Sequence, residues 1–116
     1  MLELSGAVVV VGPQDAAHLE AKCVVELFQL ADVRVIGGVE NMSGLICPHC
    51  GEHVEVFPPV AANRSLWQLG VRRLATLPLD PATAQNGRAP VMVAAPESAQ
   101  ARRFAELATT VREALG

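Results

Sequence analysis

Cys47 and Cys50 stand two residues apart in the stretch C-P-H-C-G (residues 47–51), and a tight turn that ends in glycine can aim two thiolates at one metal ion. A structural metal site of tetrahedral geometry takes four ligands, usually from two such pairs, and this chain contains one pair. The third cysteine, Cys23, falls on the apolar stripe of an expected helix and reads as a buried core residue. His49 lies inside the turn and is expected at the surface, whereas His53 is near enough to offer a third ligand. Twofold symmetry completes the set most simply, because two chains that each contribute Cys47 and Cys50 make a site of four thiolates. Such a site suits tetrahedral zinc or an iron-sulfur cluster, and a cluster held between subunits is exposed and easily transferred, as a carrier requires.

Three other readings of the same residues stay open. Cys47 and Cys50 can bind structural zinc in a non-catalytic interaction domain. They can also form a thiol oxidoreductase pair, since C-P-H-C is the tetrapeptide of a strongly oxidising thioredoxin-like site whose first thiolate is stabilised at a helix N-terminus. Against that, Gly51 follows at once and residues 52–56 alternate like a strand before two prolines, so no helix N-terminus is expected beside the thiol. The last reading is an idle turn.

The elements that must carry this turn follow from the apolar pattern. G-A-V-V-V-V-G (residues 6–12) is a continuous β-branched run bounded by glycines, the mark of a strand covered on both faces and hence of a parallel sheet. A helix follows, capped by Asp15, with Ala16, Leu19, Cys23, Leu27 and Leu30 recurring at spacings of three and four on one stripe. Residues 33–42 form a second strand and residues 72–81 a third, which ends in a proline turn. Between them, residues 57–63 read as an irregular loop and residues 63–70 as a short helix that starts at Asn63 and stops at Gly70. Residues 90–96 read as a short extended segment, and a last amphipathic helix runs from about Ser98 to Leu115, with Phe104, Leu107, Val111 and Leu115 toward the core. Strands alternating with helices indicate an α/β fold, and the absence of repeats or linkers indicates one domain over residues 1–116.

Composition narrows the function. With 51% hydrophobic and 18% charged residues the 116-residue chain reads as globular, long enough for one core that buries about two-thirds of the unfolded surface. A formal net charge of -3 gives no electrostatic reason to expect nucleic acid or an anionic membrane as partner, so Arg102, Arg103 and Arg112 read as solvated helix residues. No apolar run approaches the ~18 residues of a membrane span and no secretion signal is visible, so cytoplasm is the expected compartment.

The segments L-S-G-A-V-V-V-V-G-P-Q-D, G-G-V-E-N-M-S-G-L-I-C-P-H-C-G, L-G-V-R-R-L-A-T-L-P-L-D-P and P-V-M-V-A-A-P-E-S resemble one family almost from end to end. V-E-N-M-S followed within a few residues by C-P-H-C-G is similar to the Mrp/ApbC iron-sulfur carriers, deviant P-loop ATPases related to MinD and ParA. The resemblance implies a parallel sheet flanked by helices, here a partial P-loop NTPase-like fold, and a dimer in which the C-x-x-C of each subunit bridges a [4Fe-4S] cluster. It implies that Cys47 and Cys50 are half of that site, and that apo iron-sulfur proteins are the recipients. Asn41 matches the position that contacts adenine, and its amide can donate and accept at once; its alternative role is a turn former. Asp80 stands where related ATPases bring a loop near the base, or caps a helix.

Only the C-terminal part of the family is matched. No G-x-x-x-x-G-K-[ST] occurs, and the one lysine, Lys22, sits in mid-helix with no glycine-rich loop before it and reads as solvated. ATP and magnesium therefore belong to the full-length family, with weak nucleotide binding and no hydrolysis expected of these residues unless a separate P-loop-containing chain supplies the phosphate site. The valine strand and the helix faces around it are expected to be partly uncovered, leaving a chain that is marginal alone or that associates through this surface. Residues 57–63 replace a glycine-rich loop common in the family, and Gly12 replaces a Thr or Ser.

Overall fold

The computed structural model describes residues 3–81 and 89–116, and in it the valine run forms β1 (Ala7–Val11). α1 (Asp15–Leu30) leads to the long strand β2 (Val35–Ile46), which a turn connects to the two-residue β3 (His53–Val54). Two 3₁₀ turns (Ala62–Arg64 and Leu66–Leu69) precede β4 (Arg73–Leu79), then come the short α2 (Val91–Ala94) and α3 (Ala99–Leu115). Among the described residues, none of the helices is long and apolar enough to cross a membrane.

β2 is the centre of the sheet. It pairs in parallel with β1, Val39 opposite Val10, and in parallel with β4, Val39 opposite Ala75. After a break in the β4 ladder Leu45 meets Leu79 of β4, still in parallel, on one side and Val54 of β3 on the other, and this last pairing is antiparallel. The sheet is thus mixed, with the parallel part expected from the valine run and a short antiparallel extension that carries the cysteine turn.

The main core lies between β1, α1 and the second 3₁₀ turn, where Val9, Val11, Ala21, Val25 and Leu66 are buried. α1 turns a different face inward from the one its largest apolar residues mark. His18, Ala21 and Val25 are buried with Ala17 and Phe28 packed beside them, whereas Leu19, Cys23, Leu27 and Leu30 face outward, Leu30 at 85% exposure. Small side chains at positions 17 and 21 allow the helix to approach Val9 and Val11 closely, and the hydrogen bond from the Leu66 amide to His18 Nδ1 (3.0 Å) fixes that rotation. Val10 of β1 is also 63% exposed. These side chains are the uncovered surface expected around the valine strand.

Other differences are local. Gln14, in extended conformation, is the N-cap of α1; Asp15 is its first residue and pairs with Arg64 at 3.0 Å. The expected helix at residues 63–70 is two 3₁₀ turns, because Ser65 is extended (φ -71°, ψ 143°) and its Oγ accepts the Trp67 amide to start a new turn that ends at Gly70. Residues 91–94 are helical where an extended segment is expected: Pro90 presents its carbonyl to the amides of Val93 and Ala94, both at 2.9 Å, and proline is well suited to open a helix. α3 starts as expected, Ser98 Oγ accepting the Ala101 amide at 3.1 Å, and Gln100 Nε2 donates to the Pro78 carbonyl at 3.0 Å. Leu107 and Val111 are half-buried, but Phe104 and Leu115 are exposed, because α3 rests chiefly on β4.

The cysteine hairpin as candidate functional site

β2 delivers the cysteines. Its ladder with β4 breaks between Asn41 and Leu45, where Met42 and Gly44 take positive φ values of 55° and 82°, and the strand then resumes pairing toward the turn. The turn is closed by backbone bonds: the Cys47 amide donates to the Glu52 carbonyl and the Gly51 amide to the Cys47 carbonyl, each at 2.8 Å. Gly51 (φ 76°) supplies the left-handed residue that reverses the chain. No helix starts after Cys50, as expected, since Gly51 and Glu52 lead straight into β3.

Cys47 is half-buried and Cys50 exposed. The thiol of Cys47 is held below the ordinary cysteine value, first by the Cys50 amide, then by the His49 amide, with the Cys50 thiol and the Gly51 amide adding to the effect against partial desolvation. A turn that directs its amides at a sulfur acts in the same sense as a helix N-terminus does elsewhere, making the thiol more acidic without a helix. His49 is exposed, as expected.

His53 does not serve as a third ligand. Its Nε2–H donates to the Ser43 carbonyl at 2.8 Å and its Nδ1 lies 3.6 Å from a Glu55 carboxylate oxygen, so the ring ties the base of the hairpin together. Among the described residues, no group of three or more His, Cys, Asp or Glu side chains gathers to hold a metal ion. Cys23, exposed on the outer face of α1, is not part of such a group. One chain therefore presents two thiols on this hairpin, fewer than the four ligands of a tetrahedral site.

Gly44 makes the hairpin base sensitive to substitution. A Cβ there would collide with the His53 ring and come within 2.9 Å of the Val54 carbonyl oxygen, at a φ that L-residues avoid. Gly44→Ala is expected to cost about 2–4 kcal/mol locally. Hydrogen exchange should show the Cys47 amide losing protection while the amides of β1 keep theirs; unchanged protection at Cys47 would contradict this geometry.

The two residues matched to an adenine site lie at the same end of the sheet. Asn41, half-buried, is opposite Leu77 near the end of the parallel stretch, and Asp80 follows the last residue of β4. The carboxyl ends of parallel strands are where open α/β sheets bind ligands. Lys22 is not merely solvated: its Nζ donates to the Asn63 carbonyl (3.3 Å) and Gln68 Oε1 (3.1 Å), tying α1 to the loop.

A second polar cluster escaped the sequence reading. Strand alternation turns Glu40 to the face opposite Asn41, and Glu40 Oε2 lies 3.5 Å from Arg73 Nη1, whose guanidinium sits 4.6 Å above the Trp67 ring. His18 meets Trp67 edge-on with centroids 6.3 Å apart. Burial is the main reason that the His18 pKa is lowered; Glu40 and Asp15 oppose the shift, while Arg73 and Lys22 reinforce it. The unfolded chain thus protonates this ring more readily than the folded one as pH falls. Stability is present in full above about pH 6.5 and declines as pH drops through the lowered value. His18→Gln is expected to flatten the fall in urea midpoint between about pH 7 and pH 5.5 relative to the parent. An unchanged slope would place the acid sensitivity elsewhere.

The mixed sheet and its parallel strands joined through helices define a MinD-like P-loop NTPase fold of the α/β class. MinD from Pyrococcus horikoshii, solved with Mg-ADP, aligns with a TM-score of 0.69 at 22% identity over 97% of this chain and 43% of that one, a likeness of fold. The family described as ParA: NUBPL iron-transfer P-loop NTPase matches residues 1–112, and the chain belongs to that family. Similar proteins are an Arabidopsis thaliana protein named as an iron-sulfur protein required for NADH dehydrogenase, mitochondrial (34% identical over 116 residues, 98% of this chain and 37% of that protein), and the iron-sulfur cluster carrier protein of Pseudomonas fragi (39% over 110 residues, 92% and 38%). The chain spans little more than a third of the length of these relatives.

Proposed function

We propose that two copies of this chain hold an iron-sulfur cluster of the [4Fe-4S] type between them, through Cys47 and Cys50 of each, and pass it to apo iron-sulfur proteins. The observation that carries this reading is the turn itself, which its backbone bonds and the left-handed Gly51 hold closed while it presents a half-buried Cys47 and an exposed Cys50. The amides of Cys50 and His49 also draw the Cys47 pKa below its ordinary value. Amide donors offset the negative charge that gathers when four thiolates share one cluster, and exposure lets the thiolates of a recipient approach and replace them one at a time. The names and descriptions of the relatives support iron-sulfur transfer as the chemistry.

The residues present do not fit the phosphates of ATP. The chain has no G-x-x-x-x-G-K-[ST] sequence and its one lysine is engaged by Asn63 and Gln68. Asn41 and Asp80 are proposed as contacts to the base alone, with the phosphate and magnesium chemistry supplied by a P-loop segment or chain outside these residues. A cytoplasmic setting is part of the same reading.

Iron, sulfide and zinc per chain, measured after anaerobic reconstitution across a gel-filtration profile, test the proposal. About two iron and two sulfide per chain in a dimer peak are expected, one four-iron cluster for two subunits. Zinc alone would instead support the interaction-domain reading of the same turn, and a metal-free monomer peak would remove both.

A further inference from the structure

We infer that the cleft lined by His18, Glu40, Trp67 and Arg73 binds a small, neutral, planar molecule of the primary-amide class, one that carries a hydrogen-bond acceptor and a donor side by side. This site lies on the face of β2 opposite Asn41 and does not depend on the cysteine reading.

The first observation is an unused donor. His18 is 1% exposed, and its Nδ1 accepts the Leu66 amide at 3.0 Å, so the ring proton sits on Nε2. That Nε2 is buried and has no hydrogen-bond partner among the described residues. Buried donors are rarely left in this state, and the ring belongs to the wall of an open cleft of about 670 Å³. Lowering of the His18 pKa by burial keeps the ring neutral near pH 7, so what it offers is an N–H and not a charge.

The second observation is the chemistry of the other walls. The Glu40 side chain is 17% exposed and among the described residues pairs with Arg73 Nη1 at 3.5 Å, which leaves acceptor capacity on the carboxylate. Trp67 offers a ring face, partly covered by the Arg73 guanidinium, and Phe57 with Pro58 forms an apolar wall of the same cleft. Flat apolar surfaces with a few convergent polar groups select a planar molecule and fix its orientation. Hydrogen bonding selects the amide class: an amide accepts from His18 and donates to Glu40, whereas an anion would meet Glu40 and Glu55 and has no donor for them.

The chain's single tryptophan is Trp67, so its indole N–H resonance reports on this cleft without ambiguity. Titration with benzamide is expected to shift that resonance saturably, with half-saturation at about millimolar concentration, as befits a molecule of this size. His18→Leu should weaken the response about tenfold or more, the effect of losing one hydrogen bond to a buried group. Benzoate, which lacks the donor, should give no saturable shift. Should His18→Leu fail to fold, Glu40→Met removes the opposing acceptor and is expected to weaken benzamide by a similar factor. Any of four results would overturn the inference: no saturation by benzamide, equal binding by the folded variants and the parent, equal binding of benzoate, or a water on Nε2 that benzamide does not displace.

Discussion

Serine at both Cys47 and Cys50 is expected to take reconstituted iron and sulfide from about two of each per chain to near zero while leaving the far-ultraviolet circular dichroism unchanged. The chemical half of this expectation rests on the sulfur. A serine hydroxyl stays protonated at neutral pH and is a harder ligand than thiolate, so the amides of Cys50 and His49 that make the Cys47 thiol more acidic would be left facing a group that does not ionise. The structural half rests on the turn. It is closed by the bonds from the Cys47 and Gly51 amides and by the positive φ of Gly51, and its base is tied by His53 on the Ser43 carbonyl, none of which uses a sulfur atom. Cys23→Ser, on the exposed face of α1, serves as the control and should leave the metal content as it was. Iron and sulfide that persist in the double variant would place the cluster on other residues and sink the proposed site.

The parts of this molecule that could be read in advance are those whose signal lies in residue type. The strand β1 stands out because a β-branched run between glycines has few other conformations open to it, and the chain reversal at Gly51 stands out because glycine takes a left-handed conformation at little cost. The orientation of α1 was hidden because the helix carries two apolar faces. Leu19, Leu27 and Leu30 weigh more on any hydropathy scale than Ala17, Ala21 and Val25, yet the smaller set is the one that can approach β1. The break in β2 was hidden for another reason. Met42 at φ 55° is not a residue that announces a left-handed conformation, and the bend lies where β4 leaves β2 after Asn41 and meets it again at Leu45, beside the pairing with β3. The contact between His18 and the Leu66 amide joins residues 48 positions apart, beyond the reach of any local pattern. The bonds around the Cys47 sulfur belong to the conformation of the turn and not to its composition.

Two leucines separate the packed side of the fold from its uncovered side. Leu66 is fully buried, at 0% exposure, in the cluster with Val9, Val11, Ala21 and Val25, and Leu66→Ala is expected to cost about 3–4 kcal/mol, the transfer term plus the cavity left behind. A loss of that size lowers the urea midpoint by about 2 M in a domain of this length and removes much of an ordinary stability of about 5–10 kcal/mol. Leu27, at 64% exposure on the outer stripe of α1, is the contrasting case: Leu27→Ala should leave the unfolding free energy within about 0.5 kcal/mol of the parent in dilute solution. The comparison has a direct bearing on β1, whose pairing among the described residues is with β2 alone and whose Val10 shares the exposure of the outer leucines. If Leu27→Ala costs nearly as much as Leu66→Ala, the outer stripe is covered in solution. A midpoint that then rises with protein concentration in the parent but not in Leu27→Ala would make a second copy of the chain the cover. If Leu27→Ala is neutral and Leu66→Ala is not, the rotation of α1 toward Val9 and Val11 is the one the protein adopts.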